Sequence, residues 1–126
     1  SAGDDSIVGL AHRQGRLDTA TYQRLTRPVV YNKTPMRLYE AYDHAVLDLG
    51  DKAEARRVIA ELAVDPDIRA RIAKPDPKTV SAQKRAAKAA LRAYDKTIAV
   101  YRRLQIRLRR RTRSARPRQF AGEVSP

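Results

Sequence analysis

Nine arginines fall within the 17 residues from Arg102 to Arg118, and no Asp or Glu stands among them. They are Arg102, Arg103, Arg107, Arg109, Arg110, Arg111, Arg113, Arg116 and Arg118. A solvated face normally interleaves acids with bases to limit self-repulsion. Leaving the repulsion uncompensated makes sense where a partner supplies the negative charge, and phosphate is the natural source. The choice of Arg over Lys points the same way, because a planar guanidinium binds phosphate bidentately and stacks on bases. If about six of these side chains met phosphates, binding would weaken with salt at a log–log slope near −4 to −6. The bland alternative is a basic segment kept for solubility alone.

Catalytic chemistry has much less to work with. The two histidines are His12, with no acid or base at a useful spacing, and His44, one helical turn from Glu40. Glu40 and His44 could share a metal, but no third ligand follows at a recognisable spacing, so a solvated pair supporting its helix is the better reading. There is no cysteine, which removes a thiolate zinc site, a thiol nucleophile and a disulfide framework together. No phosphate-binding glycine loop, nucleophile elbow or HExxH motif occurs. The expectation is a non-enzymatic protein with no cofactor and no metal.

Tyr94 and Tyr101 lie among Arg92, Lys96, Arg102 and Arg103. Rings interleaved with arginine can stack on unpaired bases. The same two tyrosines also fall on a stripe of Leu91, Tyr94, Ile98, Tyr101 and Leu108, and packing is the preferred reading. Tyr22, Tyr39 and Tyr42 are expected in the core.

Those residues need elements to carry them. A helix is predicted from Asp18 to about Thr26, with Asp18 as its cap, after a polar lead over residues 1–16. Pro28 ends it, and Val29-Val30-Tyr31 reads as an extended connector. A second helix is predicted from Thr34 to Gly50, with Pro35 in its first turn and Gly50 as its left-handed cap. Asp51 caps a third whose apolar face is Ala55, Val58, Ile59 and Leu62, and Asp65-Pro66 opens a short fourth. Lys74-Pro75-Asp76-Pro77 breaks the chain. A long helix follows from about Pro77 to Arg111, its stripe alternating by four and three with Lys84 and Gln105 interrupting it. From Ser114 onward Pro117, Gly122 and Pro126 predict an irregular tail.

The reading is therefore all-α. Residues 1–74 form a small helical body with a polar lead, and residues 75–126 form a Pro-bounded basic helix and tail, the two making one structural unit. Charge follows the same division. The first part holds 12 Lys/Arg against 11 Asp/Glu, and the second holds 15 against 3, so nearly all of the +13 lies in the second. A helix-turn-helix forced onto residues 34–63 would present Lys52, Arg56 and Arg57 beside Glu54 and Glu61, a poor groove reader.

Three functions fit. The first is a structural subunit of a large assembly that contacts nucleic acid, RNA foremost in a ribosome-like particle, and neighbouring proteins. The second is a peripheral accessory subunit of a mitochondrial respiratory complex, its arginines on anionic lipid. The chain begins at Ser1 rather than Met, which accords with presequence removal on organelle import, although the compartment is left open. The third is a helical adaptor that uses the Tyr94/Ile98/Tyr101 stripe on a protein partner. No uncharged apolar run approaches the length of a transmembrane helix.

Overall fold

The computed structural model describes the backbone of residues 4–74, 76–78 and 80–124, with side chains as far as Arg111. Among the described residues there are six helices and one two-stranded sheet: α1 (Ile7–Arg13), α2 (Thr19–Leu25), β1 (Pro28–Tyr31), β2 (Thr34–Arg37), α3 (Leu38–Leu49), α4 (Lys52–Ala63), α5 (Pro66–Ala73) and α6 (Val80–Val124).

The caps sit where short polar side chains can satisfy the orphan amides of a first turn. Asp18 accepts from the Thr21 amide at the start of α2, Asp51 from Ala53 and Glu54 at the start of α4, and Asp65 from Asp67 at the start of α5, where Pro66 occupies the first turn. Gly50 closes α3 at φ 70°, a left-handed cap.

Two parts of the first half depart from the sequence reading. The polar lead contains a helix, α1. Ser6 caps α1 through the Gly9 amide, and Val8 and Ala11 are fully buried. Asp4 gathers the neighbourhood: it receives the Ser6 amide at 3.0 Å, the Tyr22 hydroxyl at 3.3 Å and the Arg37 guanidinium at 2.8 Å. Burial alone would push its carboxyl up, but the Ser6 hydrogen bonds and the Arg37 charge outweigh that and hold it below its ordinary value. His12 stacks on Tyr22, with ring centroids 4.3 Å apart.

The second departure is a β-hairpin in an otherwise helical chain. Val29-Val30-Tyr31 is not a connector, and Thr34-Pro35 does not open a helix. The two segments pair antiparallel, Tyr31 opposite Thr34 and Pro28 opposite Arg37. Asn32 and Lys33 both adopt positive φ, at 49° and 64°. This is the two-residue turn whose twist matches a hairpin. Asn is among the few residues that tolerate it, and a two-stranded ribbon is all edge, so Pro35 is admitted. The helix then starts three residues later than expected, capped at Arg37 instead of Thr34, with the Glu40 carboxylate accepting the Arg37 amide at 3.1 Å.

α6 is the element on which the rest is assembled. It packs against α1, α2, α4 and α5 and touches α3. Ile98, Tyr101 and Leu104 join Val8, Leu25, Leu38, Tyr42, Ala55 and Ile59 in one core cluster. Small side chains, such as Ala41, Ala45, Ala60 and Ala63, let the helices approach closely. At 1.5 Å per residue, α6 from Val80 to Arg111 extends about 48 Å, past the body. α6 is described with its side chains from Val80 to Arg111, and the irregular tail expected from Ser114 lies outside those residues.

Candidate nucleic-acid interface

α6 is fixed in rotation by polar contacts as well as by its apolar stripe. The half-buried Asp43 carboxylate of α3 accepts the Tyr101 hydroxyl at 2.7 Å and the Gln105 amide at 3.0 Å. Gln105, which interrupts the apolar spacing, is therefore in place for a polar reason. Burial raises the Asp43 carboxyl above its ordinary value, although both hydrogen bonds oppose this. Burial and the Asp43 charge together push the Tyr101 phenol strongly upward, so it remains a donor. Tyr39 and Tyr42 flank the Tyr101 ring at 5.6 and 6.0 Å, the second edge-on.

On the opposite flank Arg24 of α2 donates to Thr97 at 2.7 Å. Arg27 donates to the Tyr94 hydroxyl at 2.7 Å and lies over its ring. From α4, Arg56 makes a two-pronged ion pair with Asp95, at 2.5 and 2.9 Å.

These contacts place the expected stripe residues as follows. Ile98 and Tyr101 are buried, and Leu91 and Tyr94 are half-buried. Leu108 is 53% exposed, and Leu104, which the spacing did not single out, is buried in its stead. The cause is geometric. Leu108 stands within about 20° of Tyr101 around the helix but beyond the end of the body, where every residue from Ile106 to Arg111 is exposed. Lys52, Arg56 and Arg57 show why residues 34–63 read poorly as a groove-binding unit: Arg56 is held by Asp95, and Arg57 by Glu54 and Glu61. Glu40 is occupied at the α3 cap, and His44 faces the Tyr31 ring. Among the described residues no cluster of three or more His, Cys, Asp or Glu could hold a metal.

The arginine run begins where the body ends. Arg102 is half-exposed, and every residue from Ile106 to Arg111 is exposed. Arg103, Arg107, Arg109, Arg110 and Arg111 are thus presented on a helix leaving the body, while the side chains of Arg113, Arg116 and Arg118 lie outside the described residues. Two clefts flank the exit. One, of about 270 Å³, brings Arg102 and Arg109 beside Lys52, with Asp43 and Leu47 in its wall. The other, of about 280 Å³, brings Arg103 and Arg107 beside Arg16, with Asp18 in its wall. Both acids are already engaged, Asp43 by Tyr101 and Gln105, and Asp18 by the Thr21 amide. Sequence spacing alone could not have found Lys52 or Arg16, because only the packing of α6 between α2 and α4 brings them to the run.

Comparison of the chain with protein-family models, with curated proteins and with solved structures finds no match.

Proposed function

We propose that this protein is a non-catalytic subunit of a large assembly, anchored to a nucleic-acid backbone by the exposed arginines of α6, with RNA in a ribonucleoprotein particle as the foremost partner. The observation that carries this reading is the division of charge. Most of the body's acids are engaged by its own arginines, amides and hydroxyls, whereas the segment from Arg102 to Arg111, which leaves the body on α6, contains no acid. A helix held in rotation by Asp43, Thr97 and Asp95 is a rigid presenter, so its guanidinium groups meet a partner without first paying the cost of ordering a disordered segment.

The anionic-membrane reading has weaker support. Ile106 and Leu108 are the exposed apolar side chains of the described projecting part, and at 100° per residue they stand about 160° apart around the helix. A helix lying in a lipid interface needs its apolar side chains together on one face. No described helix is long and apolar enough to cross a membrane.

The test is purification of the full chain from its native source at low salt, with and without nuclease, together with binding to anionic and neutral vesicles. The proposal expects partners that leave on nuclease treatment and that anionic vesicles do not displace. Partners that survive nuclease, together with capture by cardiolipin vesicles, would reverse the assignment.

A further inference from the structure

Four arginines of α6 fall into two pairs on two flanks of the helix, and each flank is extended by a basic residue from the body. At 100° per residue, Arg102 and Arg109 fall within about 20° of one another, and Arg103 and Arg107 within about 40°, while the two pairs stand about 130° apart. The clefts give the same division independently of the helical wheel. Lys52, from the first turn of α4, lines the cleft of Arg102 and Arg109. Arg16, from the turn between α1 and α2, lines the cleft of Arg103 and Arg107. Two basic tracks therefore run from the body onto the projecting helix, one along each side.

A flat anionic surface, or a single strand lying along one face, can engage one of these tracks and leaves the other in water. Two phosphate strands separated by about a helix's width engage both. Resting on the nucleic-acid reading above, we propose that α6 enters the groove of a duplex, with one strand's phosphates against Lys52, Arg102 and Arg109 and the other's against Arg16, Arg103 and Arg107. An α-helix with its side chains is about 10–12 Å across, and a B-form major groove is about 12 Å wide. A regular RNA helix has a deep, narrow major groove, so an RNA partner offers this width where a bulge or internal loop splays its strands. The body then acts as the stop that sets insertion depth, because the two clefts lie where α6 leaves it. Contacts of this kind position the helix on phosphates and carry no base readout.

The experiment uses the full chain and two double variants, Arg102→Gln/Arg109→Gln and Arg103→Gln/Arg107→Gln, with circular dichroism to verify that each remains helical. The probes are a short DNA duplex, an RNA hairpin with an internal bulge, and the single strands of each, titrated by fluorescence anisotropy across a salt series. The expected result is that a double-stranded probe binds at least about tenfold tighter than its own single strands, and that each double variant lowers the duplex salt slope by about 2. Whether the DNA duplex or the bulged RNA binds more tightly then identifies the source of the paired strands. Arg→Lys replacements at the same four positions keep the slope, which distinguishes charge from a folding defect. If one double variant leaves the duplex slope unchanged, or duplex and single strand bind equally, the two-sided contact is refuted while the nucleic-acid reading stands. If the unaltered chain binds no probe in a salt-dependent way, the nucleic-acid reading itself falls.

Discussion

Replacing Tyr101 with Phe removes one hydroxyl and leaves the ring among Tyr39 and Tyr42, so its cost isolates the hydrogen bond to Asp43. A hydrogen bond to a charged group contributes about 1.5–3 kcal/mol. Asp43 is half-buried and keeps Gln105 as a second donor, which places the expected loss near the lower end, about 1.5 kcal/mol. With an unfolding entropy of about 2.1 cal/mol/K per residue, that loss lowers Tm by about 6 °C. The loss should also depend on pH. Burial raises the folded-state pKa of Asp43, and the Tyr101 hydrogen bond is the largest influence opposing it. An acid with a raised folded-state pKa binds its proton more tightly when folded, so stability falls as pH rises from the unfolded value, about 3.9, through the folded one. Without Tyr101 the folded pKa is higher still and that fall is larger. The penalty of Tyr101→Phe is therefore small where Asp43 is protonated and reaches its full size at neutral pH. Urea denaturation followed by circular dichroism at acid and neutral pH measures both values. In an Asp43→Asn background the penalty should shrink to about 0.5–1 kcal/mol, that of a neutral hydrogen bond. The reasoning is refuted if the penalty is the same at both pH values and unchanged in the Asn background, because the loss would then belong to packing alone.

The neighbouring ring should behave oppositely: the Tyr42 hydroxyl is buried without a hydrogen-bond partner, so Tyr42→Phe is expected to raise the urea midpoint, by up to about 1 kcal/mol in stability. Gly9→Ala brings a Cβ within 2.1 Å of the Asp4 carbonyl oxygen and should cost about 2–3 kcal/mol by overpacking. Gly50→Ala meets no atom within 4 Å and should cost only the left-handed strain, about 1–2 kcal/mol; thermal melts of the pair separate the two causes. Arg56→Met removes the two-pronged pair with the partly exposed Asp95 and should cost about 1 kcal/mol, a loss that shrinks as salt is added to the denaturation series.

Local chemistry was the legible part of this chain. Asp18, Asp51, Asp65-Pro66 and Gly50 each announce a helix end through their own side chain or backbone, and each helix end lies where they place it. The hairpin was not legible, because its turn, Asn32-Lys33, lacks the glycine that usually marks this geometry, and Thr34-Pro35 is also a good opening for a helix. Nor was α1, whose apolar residues, Ile7, Val8 and Leu10, are too few to form a stripe; it is held by Asp4, Tyr22 and Arg37, which meet only in three dimensions. The same holds for the flanks of the arginine helix. The run itself is plain in the sequence, but Lys52 and Arg16 reach it through tertiary packing that no periodicity encodes.

The position of α6 at the C-terminal side of everything it packs against also bears on how the chain is made. During synthesis α1 to α5 emerge before any of Ile98, Tyr101 or Leu104 exists to cover their apolar faces. Asp43 waits 58 residues for its tyrosine and Arg56 waits 39 for its aspartate. A nascent chain halted in the proline-containing segment before α6 therefore carries an open core and is exposed to proteases and chaperones. The body closes once Leu104 has been added, and the basic residues from Arg107 onward emerge only after it, so the charged part of α6 is completed last, on a body that already has the parts of its core.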